Sequence, residues 1–215
     1  MNKRFNKSVN ADPQLHDATS PQVLRSGYLQ RYALEGVMRI LLVLSFSGLS
    51  GAALAQLAGE TLVLSPPPEY KIGFESKQGN MVMTEMVPQH ETVQNWTEML
   101  TTQVFLGMKN ATPQQFRDFM KAQTAKACPN SQAANVLEGV ENGYPFALWI
   151  QDCPLVQQSG KPERTWLKAI RGRDSFYVVQ KAFRFQPTEQ QVVKWMQYLR
   201  EVYVCDTRSP EQKCP

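Results

Sequence analysis

Apolar positions along the chain follow two periodicities. Alternating or continuous apolar runs bounded by turn residues predict strands at 61–65, 70–76, 81–87, 135–141, 144–153, 164–171 and 174–185. Gly79-Asn80, Asn142-Gly143 and Gly172-Arg173 read as hairpin turns between successive runs. Three stretches repeat at helical spacing. The first, 92–107, carries Val93, Trp96, Leu100, Val104 and Phe105; the second, 113–128, carries Phe116, Phe119, Met120 and Gln123. The third, 188–203, carries Val192, Trp195, Met196, Leu199, Val202 and Tyr203. Thr112-Pro113 is an N-cap followed by proline at the first helical position, and Pro129 ends that helix. The order β-β-β-α-α-β-β-β-β-α predicts an α+β domain: an antiparallel sheet of about six strands with three helices packed on it.

The most apolar stretch does not fit that domain. Arg39 is followed by a greasy block, Ile40–Leu49, and then by Ala53-Leu54-Ala55 and Gln56. The block is about half of the ~20 residues a spanning helix needs. Charge, apolar block and A-x-A motif in that order describe a secretory signal over 38–55, cleaved between Ala55 and Gln56. Residues 1–37 are polar and irregular, so they read as a disordered leader or as a start placed upstream of Met38. The expected working body is 56–215, in the periplasm or secreted, with no stable membrane anchor after cleavage.

Removing the leader changes the charge picture. The whole chain is +4, but residues 56–215 hold 17 Lys/Arg against 16 Asp/Glu. A near-neutral body lacks the electrostatic footprint of nucleic-acid binding. All four cysteines, Cys128, Cys153, Cys205 and Cys214, lie in the exported part. An even count there reads as two disulfides, and of three pairings the local ones, Cys128–Cys153 and Cys205–Cys214, are favoured. No C-x-x-C pair occurs, which argues against a zinc ribbon or a thioredoxin-type site.

Two segments carry a resemblance. Val87-Pro88, Glu91-Thr92-Val93 and Trp96 within "VPQHETVQNWTEMLTTQVF" resemble a stretch of small exported proteobacterial proteins of unknown function, in which a strand ends in Val-Pro and a Trp-bearing helix follows. The terminal "FYVVQKAFRF…VCDTRSPEQKCP" is similar to that family's end. The element order also resembles the Mog1/PsbP-like α+β fold. Neither resemblance implies a catalytic residue.

Candidate chemistry is sparse. His90 is the single histidine of 56–215; beside Glu91 and Glu85 it has the makings of a general base or metal ligand, and a solvent-exposed loop residue is the simpler reading. Arg171, Arg173 and Asp174 in "RGRD" suit a carboxylate or phosphate clamp, which Arg164, Lys168 and Arg184 would extend; a solvated turn is the simpler reading. Glu138, Glu141 and Asp152 offer carboxylates without a spacing that favours any pair as glycosidic acid and base. Met81, Met83, Met86, Met99, Met108 and Met120 read as core packing before soft-metal ligation. The sequons at Asn95 and Asn110 read as helix-start chemistry. No nucleophile, zincin, P-loop or dinucleotide motif occurs.

These observations lead to an exported, non-enzymatic binding or envelope-associated module, with no cofactor, no metal and an unidentified protein or envelope partner. The alternative is a small-ligand or anion binder, or a hydrolase, using Arg171/Arg173 or His90/Glu91.

Overall fold

The computed structural model describes residues 59–215, which fall in one compact unit. The leader, the signal and the Ala55–Gln56 junction lie outside the described residues. The elements are β1 (Glu60–Val63), β2 (Tyr70–Gln78), β3 (Met81–Pro88), β4 (Glu98–Leu106), α1 (Pro113–Ala127), β5 (Gln132–Glu141), β6 (Tyr144–Val156), β7 (Lys161–Arg171), β8 (Ser175–Phe183), α2 (Glu189–Glu201) and β9 (Tyr203–Asp206).

Tight turns set the main sheet. At β5–β6, Asn142 (φ 48°) and Gly143 (φ 78°) both take the left-handed conformation that a two-residue hairpin requires. Seven strands pair antiparallel in the order β2-β3-β4-β8-β7-β6-β5, and β1 and β9 form a separate two-stranded ribbon. Helix ends follow the sequence chemistry. Thr112 and Thr188 each accept from the amide three residues on, while Gln115 and Gln191 reach back to the cap amides, so both helices open with capping boxes.

Both sheet faces are covered. On the first, Leu100, Phe146, Trp166, Tyr177 and Phe183 pack under Trp195 and Leu199 of α2 and Val204 of β9. On the second, Trp149, Leu167, Phe176 and Val178 pack under Phe116 of α1. Val87, Met99 and Ala182 lie on that same face under Trp96.

Three expectations are corrected. The stretch 92–107 is not a helix: its C-terminal part is β4, so the described residues hold two helices rather than three. Thr101, Thr102 and Val104 are β-branched and suit a pleated surface. Met99 and Leu100 are buried against opposite faces, as adjacent strand residues are. The helical spacing of Val93 and Trp96 belongs instead to a turn, 89–97, with a Thr92–Asn95 bridge, so the tryptophan of the resembling segment is turn-borne. The sheet has seven strands rather than about six, because β4 joins it. Finally, 203–206 is neither helix end nor loop: β9 pairs with β1 over Glu60–Val63, a partnership between the two ends of the described chain that local pattern does not encode.

Both favoured disulfides form. Cys128 follows α1 and Cys153 lies in β6, with Cα atoms 6.0 Å apart; Cys205 in β9 joins Cys214 across 5.0 Å. Among the described residues no helix is long and apolar enough to cross a membrane.

Candidate functional site

The RGRD turn already holds an anion, and the anion is the protein's own. Glu60 in β1 extends its carboxylate into the β7–β8 turn, where it accepts from the backbone amides of Arg173 and Asp174, the latter at 2.8 Å. Gly172 is required here by close approach: a Cβ would sit 2.5 Å from a Glu60 carboxylate oxygen and 2.8 Å from the Ser175 carbonyl. Arg173 donates to Gln212 at 3.1 Å. Arg208 bridges Asp174 and Asp206, and hydrogen bonds from its guanidinium and its backbone amide hold the Asp206 carboxyl below its usual range. The turn thus fastens the β7–β8 hairpin to β1 and the C-terminal loop. Arg171 stands opposite Phe176 in the ladder, half-buried.

The residues proposed to extend that patch are dispersed. Arg164 pairs with Asp152, and Lys168 is buried beneath α2. Arg184 stacks on the Trp96 ring at 3.7 Å, with Glu163 at 3.9 Å, on the second face. His90 projects from the 89–97 turn with 83% of its side chain exposed, 3.9 Å from Glu91. Glu91 faces inward and accepts from the Thr97 amide (2.7 Å), the Thr97 hydroxyl (2.5 Å) and the Glu98 amide (3.5 Å). Burial pushes its pKa up, but these donors and His90 outweigh that and leave it lowered. Glu85 stands on β3 with its pKa raised by burial. The three acids of the β5–β6 hairpin are also engaged: Glu138 with Arg117 and Gln114 of α1, Glu141 with Lys168, and Asp152 with Arg164. Met81, Met83, Met86 and Met99 are core residues, and Met108 and Met120 pack beside Phe116. Among the described residues no cluster of His, Cys, Asp or Glu has metal-binding geometry.

Two buried lysines went unnoticed as a pair. Lys181 is fully buried on the first face, its Nζ 2.7 Å from Glu98, 2.6 Å from the Tyr70 hydroxyl and 4.0 Å from the Trp195 ring centroid. Burial pushes it down to about 8, with Glu98 opposing the shift. The Tyr70 hydroxyl donates to the same carboxylate at 2.6 Å and is raised by burial and by Glu98. Lys168 donates to Glu141 at 2.5 Å and to the Leu199 and Val202 carbonyls at 2.9 and 2.5 Å, capping the C-terminus of α2; burial lowers its pKa against the pull of Glu141. The two lysines lock α2 to the sheet. A signal was available in the alternation, since Tyr177, Val179, Lys181 and Phe183 share one face, as do Trp166, Lys168 and Ile170.

An open cleft of about 830 Å³ lies between β1 and the C-terminal loop, with Leu62, Leu64, Arg208, Lys213 and the Cys205–Cys214 bridge among its walls.

The architecture is therefore an α+β layer built on one antiparallel sheet. No protein-family model matches the sequence, and no curated protein matches it significantly. Among solved structures it is similar to a Bacteroides thetaiotaomicron VPI-5482 protein at 12% identity and TM-score 0.39, over 74% of this chain and 51% of that one. This chain thus spans about half the length of that protein. It is also similar to LpqN, described as involved in cell envelope biogenesis of Mycobacterium tuberculosis, at 12% identity and TM-score 0.37, over 70% of this chain and 86% of that one. Likenesses of this degree establish neither the Mog1/PsbP-like topology nor the exported proteobacterial family, and they carry no function across.

Proposed function

We propose that the protein is an extracytoplasmic, disulfide-stapled α+β module that acts by binding a partner in the cell envelope rather than by catalysis. The observation that carries this reading is covalent: two local disulfides staple α1 to β6 and the C-terminal loop to β9. Such bonds persist in oxidising compartments. The fate of the charged groups supports the second half. Glu60, Glu98, Glu138, Glu141, Asp152, Lys168 and Lys181 each fasten one element to another. An anion site or hydrolase at Arg171/Arg173 has less behind it, because Glu60 occupies the turn amides.

The test is to express the full chain with its own leader and fractionate the cells. The expected product lies outside the cytoplasm, begins at Gln56, shows no titratable thiol when denatured without reductant, and crosslinks to an envelope component through photoreactive surface residues. An intact, reduced chain confined to the cytoplasm overturns the proposal.

A further inference from the structure

The two edges of the seven-stranded sheet are built differently. Edge strand β2 carries Lys71 and Lys77 and is irregular around Gly73, which are devices that discourage edge pairing. At the other edge, β5 runs ten residues, nine of them exposed, with no lysine, arginine or proline. Its two acids are already neutralised by Arg117 and Lys168. Val136, Leu137 and Val140 are 43%, 44% and 70% exposed, and Leu155 on the neighbouring strand is 57% exposed. Half of the large exposed hydrophobics among the described residues thus belong to this hairpin.

We propose that β5 is a homodimerisation edge, pairing antiparallel with β5 of a second copy across a two-fold axis between Val136 and Leu137. This proposal stands independently of compartment and of the envelope partner.

Self-complementarity carries it. The register of β5 on β6 shifts between Asn135 and Leu137. Before that bulge Gln132 and Ala134 lie on the first face, opposite Asp152 and Ile150; after it Leu137, Gly139 and Glu141 do, opposite Leu148, Phe146 and Tyr144. The two-fold then sets Gln132 against Glu141, Ala133 against Val140, Ala134 against Gly139, and Asn135 against Glu138. Every facing pair shares a face. In a strand of uninterrupted alternation this register would match first-face residues with second-face ones. Each glutamate meets an amide side chain, no like charges oppose, and at the centre Val136 of each copy meets Leu137 of the other.

The backbone agrees. In a two-residue hairpin the residues flanking the turn form a hydrogen-bonded pair, so Glu141, Gly139 and Leu137 turn their amides toward β6. Val140 and Glu138 therefore turn theirs outward. Carried across the bulge, the same alternation turns Ala133 and Asn135 outward. The facing pairs Ala133–Val140 and Asn135–Glu138 join outward residues to outward residues, as a ladder requires. An isologous contact of this kind closes on itself, leaving β2 at both ends of one continuous sheet.

The test is sedimentation equilibrium on the protein as recovered from the producing cell, disulfides intact, with hydrogen exchange at low and high concentration. A species of twice the chain mass is expected, with the amides of Ala133, Asn135, Glu138 and Val140 slowing as it forms. Val140→Lys, and Ala133→Pro at an amide with no partner inside one copy, are each expected to raise the dissociation constant about tenfold or more at unchanged circular dichroism. Lys77→Ala on β2 is expected to leave it unchanged. If Ala133→Pro fails to fold, Val140→Lys and the wild-type exchange pattern still decide. A single-chain mass at every concentration overturns the proposal, as does a dimer that survives in Val140→Lys. So does protection of these β5 amides that arises only when a different protein is added.

Discussion

Replacing Glu98 by alanine tests the buried lysine directly. Lys181 Nζ has its carboxylate partner at 2.7 Å, the Tyr70 hydroxyl at 2.6 Å and the Trp195 ring at 4.0 Å, and its side chain is fully buried. Breaking a buried pair by deleting one partner costs about 3–5 kcal/mol when the remaining charge has no escape. Lys181 has one. Its folded pKa is about 8 against an ordinary 10.5, so at pH 7 its burial already opposes folding by about 3 kcal/mol. Without Glu98 the value falls further, and below 7 the amine sheds its proton. That caps the penalty at the distance from 10.5 to 7, about 5 kcal/mol. The added loss from the lysine is then about 1–2 kcal/mol, and the Tyr70 hydroxyl, deprived of its acceptor, adds about 1–2 kcal/mol more. The total is about 3 kcal/mol at pH 7. Between pH 8 and 10.5 the native protein binds fewer protons at this site than the unfolded chain, so the site's contribution to stability rises with pH across that window. Near pH 10 the amine is neutral in both proteins, and only the Tyr70 loss of about 1–2 kcal/mol remains. Urea unfolding followed by tryptophan fluorescence, disulfides intact, measures both values. A loss that stays the same from pH 7 to pH 10, or one that grows, refutes the reasoning.

Two further outcomes follow from contacts described above. Replacing Cys128 and Cys153 by serine is expected to lower stability by about 3.5 kcal/mol, and Cys205 with Cys214 by about 2.7 kcal/mol, on the loop-entropy scale; paired melts in the same buffer check the ordering, which reversed values would contradict. Glu60→Ala is expected to cost about 1.5–3 kcal/mol and to speed amide exchange at Arg173 and Asp174 while leaving α1 untouched; unchanged exchange at those two amides would show that the carboxylate does not hold the turn.

The parts legible in the sequence were those written locally. Asn142-Gly143 specifies a two-residue turn by backbone sterics, and Thr112-Pro113 specifies a helix start by unpaired amides. The disulfides joined near neighbours in sequence. The misread element, 92–107, mixes a turn with a strand, and the chance spacing of Val93, Trp96 and Leu100 imitates a helical face. The β1–β9 ribbon joins residues more than a hundred positions apart, and no local pattern announces such a pairing. Arg171, Arg173 and His90 stood out because their residue types are familiar in sites. The interior instead uses Lys168, Lys181, Glu60 and Glu98, whose roles depend on what a distant strand or helix brings beside them.

The ribbon of β1 and β9 has a mechanical consequence. Glu60 lies opposite Asp206 and Val63 opposite Tyr203, so tension applied at Gly59 and at the far tail meets the rungs of this ladder one after another. Because Cys214 is bonded to Cys205, a pull on Pro215 bypasses the intervening loop and arrives directly at the second rung, beside Thr61. The ribbon is therefore the first part to peel under load, while the seven-stranded sheet behind it stays intact.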